Sequence, residues 1–323
     1  PLNVTEQAAH NELSKHFVRA AQELGLPYNH DFNGASQDGV TYYDVTQRNH
    51  RRESAATAYL RPARKRPNLT ISTRSRATRL IVEGDRVLGV EYTRKGQTHR
   101  VFADREVVLS GGAINSPRLL MLSGIGPAAE LEALGIKVNH DLPGVGKNLQ
   151  DHMDVYLTAN SAPVSYNESD RPVKMLLAGA QYLMYRTGPV TATVCEAGIM
   201  ARSSEHPGFP DLQLHMLPAY VIDHGRKRVR GHGVTINTCN LRPRSIGQVT
   251  LQAADPTAAP AIDPNYLDDP HDWKMSIEAF ELGRELLATR AFAPVVRSEH
   301  MPGAGVRTEK QIKDYIRQWS KTD

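Results

Sequence analysis

Residues 110–154 read SGGAINSPRLLMLSGIGPAAELEALGIKVNHDLPGVGKNLQDHMD. The apolar run Val107-Val108-Leu109 in front of them predicts a buried strand that stops at Gly111-Gly112. Paired glycines let a ligand or another backbone approach with no Cβ in the way. Beyond them, Ser116-Pro117 and the run Leu119–Leu122 predict a helix, and Gly124–Pro127 a second glycine turn into another. Spacing alone leaves Gly111-Gly112 open between a tight strand-to-helix turn and a ligand cradle. Gly124-x-Gly126-x-x-Ala129 scans as a dinucleotide fingerprint. That fingerprint needs a strand before it, to aim amides and a helix N-terminus at a pyrophosphate. Here a helix precedes it, so a helix–turn–helix connection is expected. Gly144-Val145-Gly146-Lys147 lacks P-loop spacing and reads as a turn.

The wording of this stretch resembles the glucose–methanol–choline (GMC) family of FAD-dependent alcohol oxidoreductases. The family's motif Gly-Ala-x-x-Ser-Pro-x-Leu-Leu-x-x-Ser-Gly-x-Gly is present as Gly112, Ala113, Ser116, Pro117, Leu119, Leu120, Ser123, Gly124 and Gly126. A second family block is Val145-Gly146-x-Asn148-Leu149-Gln150-Asp151-His152. The resemblance implies a mixed α/β (α+β) fold: part of an FAD-binding, Rossmann-like region with a β meander, then a substrate region built on an antiparallel sheet with helices. It divides the chain into residues 1–154 (FAD-binding), 155–241 (substrate-binding) and 242–323 (the start of the family's C-terminal region).

The resemblance also implies site residues. Gly111 and Gly112 are expected to meet the adenosine half of FAD through their backbone, and Ala77, in Arg76-Ala77-Thr78-Arg79-Leu80, to meet the adenine through main-chain atoms. Asp154 stands where the choline-oxidising branch has a glutamate looking toward the trimethylammonium group; here the carboxyl is one methylene shorter. His215 matches a histidine lining the alcohol site in some members, although a lone histidine in an alternating strand also suits a core or rim position. Asp151-His152 allows two readings, a base with its orienting carboxyl or a pair that holds a turn. No catalytic base is nominated within the chain: the family's histidine is expected beyond Asp323, and its Gly-x-Gly-x-x-Gly unit before Pro1, so the sequence is expected to be truncated at both ends. The implied activity is oxidation of an alcohol to an aldehyde or ketone by hydride transfer to flavin, with a quinone, a carrier or oxygen as electron acceptor. Choline dehydrogenase proper, or a flavin-free binding module that retains the scaffold, are the alternatives.

Bulk properties agree with a globular enzyme. The 323 residues are 40% hydrophobic and 23% charged, with a net charge of +4. No apolar run approaches the roughly 18 residues of a membrane span, and no basic-then-apolar leader is visible. Two cysteines, Cys195 and Cys239, are too few for a disulfide framework and fit a reducing, cytoplasmic compartment. Neither a His-Glu-x-x-His metal motif nor a Gly-x-Ser-x-Gly elbow occurs. Basic residues concentrate at Arg48, Arg51, Arg52, Arg61, Arg64, Lys65 and Arg66, and again at Arg226, Lys227, Arg228 and Arg230. Neither run has the interleaved aromatics of a nucleic-acid site. Solvated surface is the first reading, and weak peripheral contact with an anionic inner membrane face the second.

Along the chain, Thr5 is expected to cap a helix through Ala9, Leu13, Phe17, Ala20 and Leu24, ended by Gly25 and Pro27. A β meander is expected from Leu69 to Ser110, with turns at Gly84-Asp85 and Lys95-Gly96. Helices are expected at 172–185, after Asp272, and after a Thr308/Gln311 capping box. Strands are expected at 212–217, 234–241 and 248–252.

Overall fold

The computed structural model describes residues 2–167, 169, 171–205, 208–223, 225–227 and 229–322. Arg228 of the second basic run and Asp323 lie outside the described residues. The architecture is mixed α/β with antiparallel sheets, as expected. The chain divides into two units, one of Pro1–Lys65, His152–Pro243 and Asp269–Asp323, the other of Arg66–Asp151 and Arg244–Asp268.

The first unit is built on a seven-stranded antiparallel sheet. Its strands lie in the order Gly39–Tyr42, Ala197–Ala201, Leu212–Leu217, Gly233–Asn240, Met153–Ser161 and Val296–Met301, with Lys321–Thr322 paired to the other end of Met153–Ser161. Alternation places Leu212, Leu214 and Met216 on the face that buries against helices Glu12–Glu23 and Pro270–Ala288. Leu13, Phe17, Phe280 and Leu286 fill that layer from the helices, and Ile199, Leu157 and Ile236 from the sheet. At Gly283 a Cβ would run into the Leu157 side chain, so the bare position lets the long helix lie close on the sheet.

The first helix begins later than expected. Asn11, not Thr5, caps it by accepting from the Leu13 amide at 2.9 Å. Thr5 instead makes an isolated bridge to Val45. The long helix is capped by Asp269, with Asp272 inside its first turn. The Thr308/Gln311 capping box is complete: the Thr308 side chain accepts from the Gln311 amide at 3.3 Å, and Gln311 returns the bond to the Thr308 amide at 3.0 Å. Replacing Thr308 with alanine is expected to cost about 1 kcal/mol, read as a shift of the urea midpoint; an unchanged midpoint would mean that water replaces the cap.

The second unit holds the meander Ser75–Glu83, Arg86–Arg94 and Gln97–Phe102, with turns at Gly84-Asp85 and Lys95-Gly96. Leu69–Thr73 is not a strand; the first meander strand starts at Ser75. Helices Gly112–Leu122 and Ala128–Ala133 follow, and Met121, Leu131, Ile136 and Val145 make a compact core. The Ser123 hydroxyl donates to Leu119 O at 2.5 Å and accepts from the Leu80 amide at 2.8 Å, tying helix to meander. The run Val107–Leu109 is not a buried strand: it has no ladder, and Val108 is 76% exposed. An apolar run forms a strand only where a neighbour takes its amides and carbonyls, and none pairs with it among the described residues.

Candidate functional site

In the second unit, the glycine turn and the meander meet at a groove of about 700 Å³. Ser75, Arg76 and Ala77 form one wall, Leu109, Gly111 and Asn115 another, and Thr257–Pro260 a third. Ala77 and Gly111, distant in sequence, thus face one space. Gly112 has φ +81°, a left-handed conformation that favours glycine, and a Cβ there would meet nothing within 4 Å. Gly111 is constrained by its own helix, since a Cβ would stand 3.1 Å from the Ser116 amide nitrogen. Its amide donates to the Ser116 hydroxyl at 2.9 Å, so the Ser-Pro of the motif closes the turn.

A bulge at Ala77–Arg79 leaves Thr78 without a partner residue across the ladder, and its hydroxyl instead donates to Glu91 O at 3.1 Å. Bulges interrupt pairing and re-aim the local chain. Arg118, on the groove floor, donates through Nη2 to Pro256 O at 2.5 Å and to Ala258 O at 2.8 Å. Its buried Nε has no hydrogen-bond partner. An open volume, small or absent side chains at Ala77 and Gly111, and one buried donor still to be satisfied suit the flat, acceptor-rich adenosine half of FAD.

The first unit presents a polar band on the sheet face opposite the helices. Asp154 lies opposite Cys239, and His215 opposite Asn237, so all four share this face. Asp154 is 1% exposed, and Asn237 Nδ2 donates to its Oδ2 at 2.9 Å. Asn237 therefore stands bonded to Asp154 and opposite His215 in the ladder. His215 Nδ1 lies 3.1 Å from the Tyr43 hydroxyl and 3.5 Å from Cys195 Sγ. The Tyr43 hydroxyl also accepts from Gln213 Nε2 at 3.1 Å. The Tyr43 hydroxyl therefore bridges Gln213 and His215.

Tyr43 reaches His215 because Gly198 lies beneath it: a Cβ there would collide with the Tyr43 ring and hydroxyl. Sequence reasoning missed Tyr43, Gln213 and Asn237. The available signal was Asn237 in the buried strand Gly233–Asn240, and Gln213 two residues from His215. Asp151 and His152 engage different partners, Asp151 the Tyr266 hydroxyl and His152 Nε2 the Leu241 carbonyl at 3.2 Å. Both contacts tie this block to segments distant in the chain. No group of three or more metal-ligating side chains occurs among the described residues.

Comparison with known proteins agrees with the motif. Residues 1–154 match the N-terminal and residues 243–322 the C-terminal GMC oxidoreductase model. The chain belongs to the GMC oxidoreductase family. It is 43% identical over 317 residues to "Alcohol dehydrogenase [acceptor]" of Pseudomonas putida, covering 97% of this chain and 57% of that protein. It is 40% identical over 321 residues to "Choline dehydrogenase, mitochondrial" of Homo sapiens, covering 98% and 54%. Among solved structures, pyridoxine 4-oxidase from Mesorbium loti superposes with a TM-score of 0.86 at 28% identity, covering all of this chain and 60% of that one. The chain thus spans little more than half the length of these relatives. No described helix is long and apolar enough to cross a membrane.

Proposed function

We propose that this chain is part of an FAD-dependent enzyme that oxidises an alcohol to an aldehyde or ketone. The observation that carries the reading is the groove in which the Ala77 main chain and the Gly111 turn converge, within a chain of GMC membership. Ala77, Gly111 and Gly112 hold the adenosine half of FAD. When bound, FAD supplies the hydride acceptor. The chain's own residues recognise and orient the alcohol: Asp154, steadied by Asn237, offers a carboxyl to a cationic or hydroxyl-bearing group, and His215, steadied by Tyr43, lines the same face. A neutral aliphatic or aromatic alcohol is favoured over choline as substrate, because the side chain at 154 is a methylene shorter than the glutamate of the choline-oxidising branch.

The native protein is expected to carry FAD and to bleach its flavin absorbance anaerobically with primary aliphatic or aromatic alcohols faster than with choline. In Ala77→Trp the indole would fill the groove and weaken FAD binding at least about tenfold. The exposed position should leave the unfolding midpoint unchanged. A protein without flavin nucleotide, or a flavin that no alcohol reduces, would favour the flavin-free binding module. Undiminished FAD affinity in Ala77→Trp would remove the adenosine assignment alone.

A further inference from the structure

Helix Pro172–Tyr185 is amphipathic in the wrong sense for a globular protein. Val173, Leu176, Leu177, Ala180, Leu183 and Met184 follow the i, i+3, i+4, i+7 spacing of a core-facing stripe. Yet Val173, Leu176, Leu177, Leu183 and Met184 are 65–74% exposed. The half-buried positions of the helix are Ala178, Gly179, Ala180 and Tyr182. No residue of the helix is buried. Met175, Tyr185 and Val190 extend the exposed apolar surface. Monomeric proteins seldom leave a contiguous apolar patch of this extent in water.

Basic side chains stand at the rim of this patch among the described residues. From Arg171 to Cys195 the sequence holds Arg171, Lys174 and Arg186 and no Asp or Glu. One residue of the first basic run and two of the second lie beside the ends of this helix. Arg51, from the first, lies with Arg186 against the Tyr182 phenol and holds its pKa below the ordinary value; the Arg186 guanidinium is 4.9 Å from the ring centre. Lys227 and Arg230, from the second, share a groove of about 840 Å³ with Arg171 at the start of the helix. An apolar stripe with cations at both ends of its helix complements an anionic lipid surface, in which leucine side chains enter the acyl boundary and lysine and arginine stay at the phosphates. A protein partner or a second copy of this chain would need a matching acidic rim.

We infer that Pro172–Tyr185 is an interfacial helix that seats this protein on an anionic bilayer. The contact is peripheral, since 14 residues at 1.5 Å each are too short to span one. This inference is independent of the redox reading above.

The native protein should co-sediment with phosphatidylcholine vesicles that contain phosphatidylglycerol, and far less with phosphatidylcholine alone. Raising the salt should release a large part of it, because the cationic rim is screened over about 10 Å at 0.1 M. Leu176→Glu combined with Leu183→Glu is expected to lower partitioning at least about tenfold. Both side chains stand in solvent, so the unfolding midpoint should not move. The proposal fails if anionic vesicles do not retain the native protein at low salt, or if the double variant binds them equally well. It also fails if the stripe proves to be covered by a second copy: the native protein would then sediment as a dimer that the double variant dissociates, without vesicle capture.

Discussion

Glu196→Ala is expected to destabilise the first unit by about 3–5 kcal/mol, the largest stability effect anticipated for one substitution here. Glu196 is fully buried at the start of strand Ala197–Ala201. Its Oε2 accepts from the Asn11 amide and the Ser14 hydroxyl, each at 2.6 Å, and its Oε1 from the Tyr166 hydroxyl at 2.6 Å. Burial, and then this bond, push the Tyr166 pKa well above the ordinary phenol value. Alanine removes the acceptor and strands three donors where water enters poorly, at about 1–3 kcal/mol each. The same bonds hold the cap of the first helix and the Tyr166 loop against the sheet. Trp273 and Trp319 both belong to this unit, so their fluorescence during urea unfolding reads it directly. Glu196→Gln, which keeps acceptor oxygen on one side only, should lose about half as much. A loss below about 1 kcal/mol for the alanine variant would show that solvent satisfies the donors after all.

The largest functional effect is expected at Asp154. In the native protein, Asp154→Asn should lower the ratio of kcat/KM for cationic alcohols to that for neutral alcohols at least about tenfold, whichever class the parent turns over faster. A full charge lost within a few ångströms of a bound cation is worth more than the 1.4 kcal/mol that corresponds to tenfold. Asparagine can still accept from Asn237 Nδ2, so stability should change little. Asp154→Ala should lose the same selectivity and also about 1–3 kcal/mol of stability, because Asn237 would keep a buried donor without its acceptor. The pair separates charge from scaffolding. Were the selectivity ratio the same in both variants as in the parent, Asp154 would not face the substrate.

Much of the local structure was legible. The strand Leu212–Leu217 and the helix Pro172–Tyr185 occupy the residues that periodicity indicated. The meander turns sit at Gly84-Asp85 and Lys95-Gly96, where glycine and Lys95 take positive φ. The Thr308/Gln311 box is visible from two residues three apart, because a cap needs only its own first turn. The central strand Met153–Ser161 was not legible. It is buried on both faces, so it lacks the alternation by which half-buried strands are read. Val107–Leu109 misled for the opposite reason: an apolar run looks like a strand whether or not a neighbour exists to pair with it.

Spacing along the chain was enough to establish the glycine turn after Leu109, the Ser-Pro helix start and the family to which they belong. Those features depend on backbone conformation and on bonds spanning a few residues. Only the folded chain decided that Ala77 shares a groove with Gly111, that Asn237 bonds Asp154 and lies opposite His215, and that Tyr43 crosses the bare backbone of Gly198 to reach that histidine. Strand register sets which side chains lie opposite one another, and a shift of one residue would turn each of them to the other face.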